Sequence, residues 1–259
     1  MPFASNNGIR IFYRSEPATG GGSDAGVPLL LAHGFMQRSD DWFDAGYVDR
    51  LSQLRPLVLL DFRGHGLSDK PHSVRDYRME LLVNDLTAVL DQMRVNTVDF
   101  MGYSFGAWVG FGMARFARKR LRSLVLGGMH PYVRDPGPLQ RRIDRFTSTR
   151  DALAEGGHHA ELIPDQVRAQ FAENDIEALI ALTTAIRDSE GFEGALDTLE
   201  APTLIYTGEE DPAYALAKQC VEGHDNLDFL SLPGLGHMEA WHQTEAVLPQ
   251  VTRFLQAVT

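Results

Sequence analysis

Short apolar runs alternate along the chain with longer stretches whose apolar positions recur every three or four residues. Residues 9–13 read as an early strand, and LLL at 29–31 and LVLL at 57–60 as buried strands ending at the turns HGF and DFRGHG. In 77–93, Leu82, Leu86, Val89 and Met93 share one face at helical spacing, which predicts an amphipathic helix. Further strands are predicted at 97–101, 121–126, 203–207 and 227–232, with a closing helix from about Thr244. Strands alternating with helices in this way predict an α/β fold: a mostly parallel twisted sheet covered by helices on both faces. TGGGSDAGVP at 19–28 reads as a Gly/Pro-rich surface loop.

The rhythm breaks between 131 and about 194, where helical patterns continue without a convincing strand. This stretch opens PYVRDPGP and carries EGGHH at 155–159, read as a loop whose His158 and His159 are solvated rather than ligands. About 60 residues make a marginal core alone. The predicted organisation is therefore one core formed by 1–130 and 195–259, with 131–194 inserted as a helical lid over a sheet edge.

Composition narrows the partner. With 44% hydrophobic residues in 259, the chain can bury a sizeable core. Its 24 Lys+Arg against 35 Asp+Glu give a net charge of −11, which opposes attraction to nucleic acid or an anionic membrane and points to a small-molecule substrate. Oligomeric state is not legible. One cysteine, Cys220, excludes an internal disulfide and a cysteine-built metal site. The N-terminus MPFASNNGIR has no basic-then-apolar leader, and no run approaches the roughly 18 apolar residues of a spanning helix, so a cytoplasmic location is expected.

The stretch VDFMGYSFGAWVG, 98–110, carries the candidate chemistry. A serine hydroxyl attacks a carbonyl at neutral pH only if it projects from the backbone, lies beside a base and faces donors for an oxyanion. In G-x-S-x-G between a strand and a helix, a sharp turn lifts the hydroxyl of Ser104 clear of the sheet. Side chains at 102 and 106 would collide across such a turn, and Gly106, Gly110 and Ala114 form a ridge of small residues against the sheet. The helix start aims unpaired N–H groups and a positive dipole end at developing charge, making the amide of Phe105 the natural oxyanion donor.

HGF at 33–35, DFRGHGLSD at 61–69, GYSFGA at 102–107, GEEDP at 208–212 and GLGHMEAW at 234–241 together resemble, in order, the α/β-hydrolase superfamily. The resemblance spans about residue 9 to the end, except the insertion. It implies an α/β-hydrolase fold, His237 as catalytic base with His242 as rival, and Asp211 as the orienting acid, in the chain order Ser, Asp, His. Glu209 and Glu210 adjoin that acid, and Asp135 is a remote substitute. It also implies the amide of Phe35 as second oxyanion donor, with His33 bracing the turn. Asp61, Arg63, His65 and Asp69 could suggest a metal, but glycines and polar side chains after a strand more often tie down a turn. No HExxH and no phosphate-binding glycine loop appear, so no cofactor and no metal are expected.

The expected function is that of a serine hydrolase cleaving an ester-like bond, of carboxylesterase or lactonase type, through an acyl-enzyme on Ser104. Serine at 104 counts against epoxide hydrolase and haloalkane dehalogenase, whose relatives use aspartate there; thioesters, C–C bonds and peracids remain open. So do a non-hydrolytic enzyme such as a cofactor-free oxygenase or lyase, and a receptor with an idle triad. The 14 Phe and the helical insertion suggest a compact apolar pocket. Met36, Tyr103, Met129 and Met238 are candidate liners beside Phe35 and Phe105, with core packing the competing explanation for each. In the insertion, seven arginines face twelve acidic residues, which suggests a neutral or cationic substrate.

Overall fold

Leu29–Ala32 and Leu57–Leu60 are buried at every position, as strands covered on both faces must be. They are the centre of an eight-stranded sheet in a computed structural model that describes residues 2–20 and 26–258, and for His158 and His159 the backbone only. Residues 21–25 of the predicted surface loop lie outside the described residues. The strands are β1 Phe3–Asn6, β2 Ile9–Glu16, β3 Leu29–Ala32, β4 Leu57–Leu60, β5 Val98–Tyr103, β6 Leu121–Gly127, β7 Thr203–Gly208 and β8 Leu227–Leu232. Their order is β1-β2-β4-β3-β5-β6-β7-β8; β1 pairs antiparallel with β2 and β2 with β4, and every other pairing is parallel. β1 was not anticipated. Only four residues long and at the edge, it has too little apolar alternation to register as a strand before its partner β2 is in place.

The helices are α1 Asp41–Asp44, α2 Tyr47–Leu51, α3 Met79–Gln92, α4 Phe105–Phe116, α5 Pro136–Glu155, α6 Gly157–Glu161, α7 Asp165–Ala172, α8 Ile176–Arg187, α9 Tyr214–Gln219, α10 His237–His242 and α11 Thr244–Ala257. α3 and α4 cover one face of the sheet; α2, α10 and α11 cover the other. The predicted stripe of α3 is buried at Leu82, Leu86 and Val89, and it also holds a buried carboxylate, Asp85, paired with Arg63 at 2.6 Å. That pair anchors the turn after β4 to the helix layer. Among the described residues, no helix is long and apolar enough to cross a membrane.

α4 can lie against the sheet only because of its glycines. A Cβ at Gly106 would sit 2.0 Å from the carbonyl oxygen of Ala32 and 2.8 Å from that of His33, and neither backbone atom can retreat. Gly106→Ala is therefore expected to cost about 3 kcal/mol or more in urea unfolding. Gly194→Ala, with nothing within 4 Å, should stay within about 0.5 kcal/mol.

Between β6 and β7 the chain is helical, as expected. Asp135 caps α5 by accepting from the Gly137 amide at 2.9 Å, with Pro136 in the first turn; Asp175 caps α8 through the Ala178 amide at 3.0 Å. The 155–159 stretch is not a loop. α5 ends at Glu155, Gly156 turns the chain at φ 69°, and α6 begins at Gly157, so the two glycines make a break between helices. The side chains of His158 and His159 lie outside the described residues. Phe146, Phe171 and Leu179 form the segment's own apolar cluster, and Phe35 and Met36 of the core pack against it.

Candidate active site

Ser104 joins β5 to α4 at φ 54° and ψ −112°, a backbone conformation that L side chains rarely adopt. The turn is held by its neighbours: the Ser104 amide donates to the Gly127 carbonyl at 2.8 Å, and the Trp108 amide donates to the Ser104 carbonyl at 3.0 Å. A Cβ at Gly102 would lie 2.5 Å from the backbone of Gly106, so the two flanking glycines are required by each other. The hydroxyl thereby projects above the C-terminal edge of the sheet.

Two other loops bring their side chains to the same point. His237 begins α10, and its Nε2 lies 2.9 Å from Ser104 Oγ. Its Nδ1 lies 2.6 Å from Oδ2 of Asp211, which follows β7 and is buried. The other oxygen of Asp211 accepts from the Ala213 amide at 2.8 Å, which fixes the carboxylate plane. With Nδ1–H donating to the carboxylate, Nε2 is left to accept from the serine. The neighbouring carboxylates do not compete: Glu209 accepts from Ser231 at 2.7 Å and Glu210 points outward. His242 is exposed at the far end of α10, and Asp135 is engaged as a helix cap.

His237 is held from below. Tyr103, expected as a pocket liner, is buried at 2% exposure, and its hydroxyl donates to the His237 carbonyl. It sits in the apolar layer with Tyr206 and Trp241 and faces no open space, because alternate residues of β5 point to opposite faces. Trp241 in turn packs on Trp42 at 4.7 Å and accepts at its carbonyl from the Tyr47 hydroxyl at 3.0 Å. α10 is thus anchored by aromatic packing on the side away from Ser104.

The turn after β3 presents one free amide. Gly34 donates to the Gln37 side chain at 2.8 Å and Met36 donates to His65 Nε2 at 3.1 Å, whereas the Phe35 amide has no partner among the described residues. The Phe105 amide, first in α4, has none either. His33 braces this turn as expected: its Nδ1 contacts the Gly34 carbonyl at 2.8 Å and its Nε2 accepts from the Phe62 amide at 3.1 Å. Asp61 accepts from Ser39 and Leu67, and Asp69 binds Arg10, so these carboxylates tie loops together. Among the described residues, no group of three or more His, Cys, Asp or Glu could hold a metal ion.

The other expected liners divide. Phe35 stacks on Phe146 of α5 at 6.2 Å, with Met36 beside it at φ 62°. Met129 is buried in the main apolar cluster, which also holds Leu139 and Leu182 of the helical segment, whereas Met238 is 52% exposed. Three residues went unanticipated: His130, Arg134 and Arg142. Arg142 lies over the Phe35 ring at 4.9 Å and Arg134 places Nη1 3.1 Å from Met129 Sδ. His130 and Arg134 lie in the loop between β6 and α5 and Arg142 on α5, and a polar residue type gives no sign of which way its side chain faces. The acidic excess of the segment is not what the site meets, since its carboxylates are exposed apart from Asp175 and Glu177, and those two are engaged. A separate concavity of about 560 Å³ lies at the opposite edge of the sheet, where Arg55 and Arg122 pair with Asp99, and it holds no comparable arrangement.

Burial keeps three imidazoles near the site neutral. His65 is pushed down to about 3 by desolvation and then by the charge of His33. Desolvation takes His130 down to about 4 and also lowers His33. Unfolded, each would take a proton near pH 6.5, so the unfolded chain binds more protons and stability must fall as pH drops. The urea midpoint is expected to decline from about pH 6.5 toward pH 4, by up to about 1.4 kcal/mol per pH unit for each ring. An unchanged midpoint between pH 7 and pH 5 would contradict it.

With the motifs in this arrangement, comparison with known proteins is decisive: a sequence model of the Alpha/beta hydrolase family matches residues 29–249. The chain belongs to this family. Its similarity to individual members is distant. A putative 2-succinyl-6-hydroxy-2,4-cyclohexadiene-1-carboxylate synthase of Bacillus subtilis (strain 168) is 24% identical over 276 residues, spanning 98% of this chain and 97% of that protein. A 2-hydroxymuconate semialdehyde hydrolase of Pseudomonas sp. (strain CF600) is 26% identical over 211 residues, 73% of this chain and 72% of the other. Among solved structures, the enol-lactonase from Burkholderia xenovorans LB400 superposes with a TM-score of 0.81 at 21% identity, covering 98% of this chain and 100% of that one. At that identity it shares the α/β-hydrolase fold.

Proposed function

We propose that this α/β-hydrolase family member is a serine hydrolase acting on an ester-like bond, ester or lactone, through an acyl-enzyme on Ser104. The observation that carries the reading is the unbroken chain of contacts from Ser104 Oγ through His237 to Asp211, at 2.9 and 2.6 Å. Ser104 Oγ attacks the acyl carbon while its proton passes to His237 Nε2, and the charge so formed is held by Asp211. The carbonyl oxygen becomes an oxyanion between the free amides of Phe35 and Phe105. His237 then returns the proton to the departing alkoxide. A water, deprotonated by the same nitrogen, displaces the acyl group and restores Ser104. The segment 131–194 serves as a lid: it lies between β6 and β7, and its Phe146 stacks on the ring of Phe35.

The test is labelling with a fluorophosphonate followed by a panel of nitrophenyl esters and lactones. Stoichiometric labelling at Ser104 with turnover of some ester or lactone is expected. Absence of both would leave an idle serine and end the proposal.

A further inference from the structure

Three arginines of the helical segment are neutralised on its outer surface: Arg150 by Asp151 and Glu177, Arg168 by Asp165 and Arg187 by Asp188. Arg134 and Arg142 are different. Desolvation is the leading influence on the proton affinity of both, whereas at Arg150 and Arg187 it is a carboxylate hydrogen bond, and neither Arg134 nor Arg142 forms an ion pair among the described residues. Arg142 lies over the ring of Phe35, whose amide is a proposed oxyanion donor. Arg134 lies against Met129 and 5.9 Å from the Trp108 ring, within the field of Asp211. Burial lowers the proton affinity of both; the second influence on Arg134 is the charge of Arg142, and on Arg142 that of Arg145. Beside them His130, 8% exposed, has a buried Nδ1 with no partner.

Taking a guanidinium partly out of water next to another cation is unfavourable unless an anion completes it. Elsewhere this protein supplies that anion, as at Arg63 with Asp85. At Arg134 and Arg142 it does not, although the chain carries an acidic excess of 11. The planar fork of a guanidinium matches a carboxylate in two-point geometry.

We propose that Arg134 and Arg142 form a carboxylate-binding subsite beneath the helical segment, so that the preferred substrate is an ester or lactone whose acyl part bears a free carboxylate. This rests on the assignment of Ser104 as nucleophile, and it reverses the expectation drawn from the segment's net charge. The two guanidinium groups flank the site, one over the oxyanion turn and one on the side of the acid. An acyl chain attached at Ser104 would extend its carboxylate between them.

The experiment compares mono-4-nitrophenyl glutarate with its uncharged methyl ester. Wild type is expected to favour the anionic ester by about tenfold or more in kcat/KM. Arg134→Gln and Arg142→Gln should each reduce that ratio by about 10- to 100-fold, the range of a charge-assisted hydrogen bond. Arg150→Gln, on the outer surface, should leave the ratio unchanged. A second measurement needs no turnover: glutarate binding by calorimetry to wild type and to Ser104→Ala, lost in the Arg134→Gln/Arg142→Gln double variant. A wild type that prefers the methyl ester and binds no glutarate at millimolar concentration overturns the subsite while the assignment of Ser104 stands. So does glutarate binding that survives the double substitution. If neither ester is turned over yet glutarate binds and needs the arginines, the subsite stands and the hydrolase reading falls. Should the variants fail to fold, the wild-type ratio and wild-type glutarate binding decide.

Discussion

Ser104→Ala is expected to lower kcat by about 10⁴- to 10⁶-fold and to abolish fluorophosphonate labelling, while the thermal midpoint moves by no more than a few degrees. The chemical loss is large because, among the described residues, Ser104 is the hydroxyl hydrogen-bonded to His237 Nε2. In the proposed mechanism the activity that remains would come from the Phe35 and Phe105 amides and from substrate binding, neither of which the substitution touches. The stability effect is small for a reason the backbone supplies. Alanine is as strained as serine at φ 54°, so the turn neither gains nor loses, and the hydroxyl makes no packing contact that the core depends on. Ser104→Gly, freed of a Cβ at that angle, should be the more stable of the two by about 1 kcal/mol or more. Ester turnover within tenfold of wild type in Ser104→Ala would remove the nucleophile from the proposal.

Asp211→Asn is expected to lower kcat by about 10⁴-fold with little change in KM. The two oxygens of Asp211 have different tasks: one accepts from the Ala213 amide and the other from His237 Nδ1. An asparagine has one oxygen. If it stays on the Ala213 amide, the NH₂ group faces Nδ1 and forces the imidazole into the tautomer with its proton on Nε2, where it cannot accept from Ser104. If the amide flips, two N–H donors collide at Ala213 instead. Glu210→Gln, at an exposed side chain in the same loop, should stay within a fewfold of wild type. A crippled Glu210→Gln beside an active Asp211→Asn would transfer the acid to the neighbouring residue.

Much of this was legible before any coordinate. The parallel strands stand out because a strand covered on both faces must be apolar at successive positions, as in LLL and LVLL. G-x-S-x-G was readable because a turn that tight excludes side chains at 102 and 106, and the contacts of Gly102 and Gly106 bear that steric argument out. Tyr103 was misread: a large aromatic beside the nucleophile suggests a pocket wall, but strand alternation turns it beneath the sheet edge to hold His237.

The sequence by itself pointed to the buried parallel strands through their unbroken apolar runs and to Ser104 through turn sterics, and the order of its motifs, by resemblance, pointed to the family and to the loops that carry 208–212 and 234–241. Only the tertiary structure selected Asp211 over Glu209 and Glu210, because three adjacent carboxylates are equivalent until the loop after β7 aims one of them at Nδ1. It alone set Arg134 against Met129 and Arg142 over Phe35 with no ion pair among the described residues, while pairing Arg150, Arg168 and Arg187 with carboxylates. The physical reason is the same in both cases. Charge sums over a segment irrespective of direction, whereas the field a substrate meets depends on which side chains face it and at what distance.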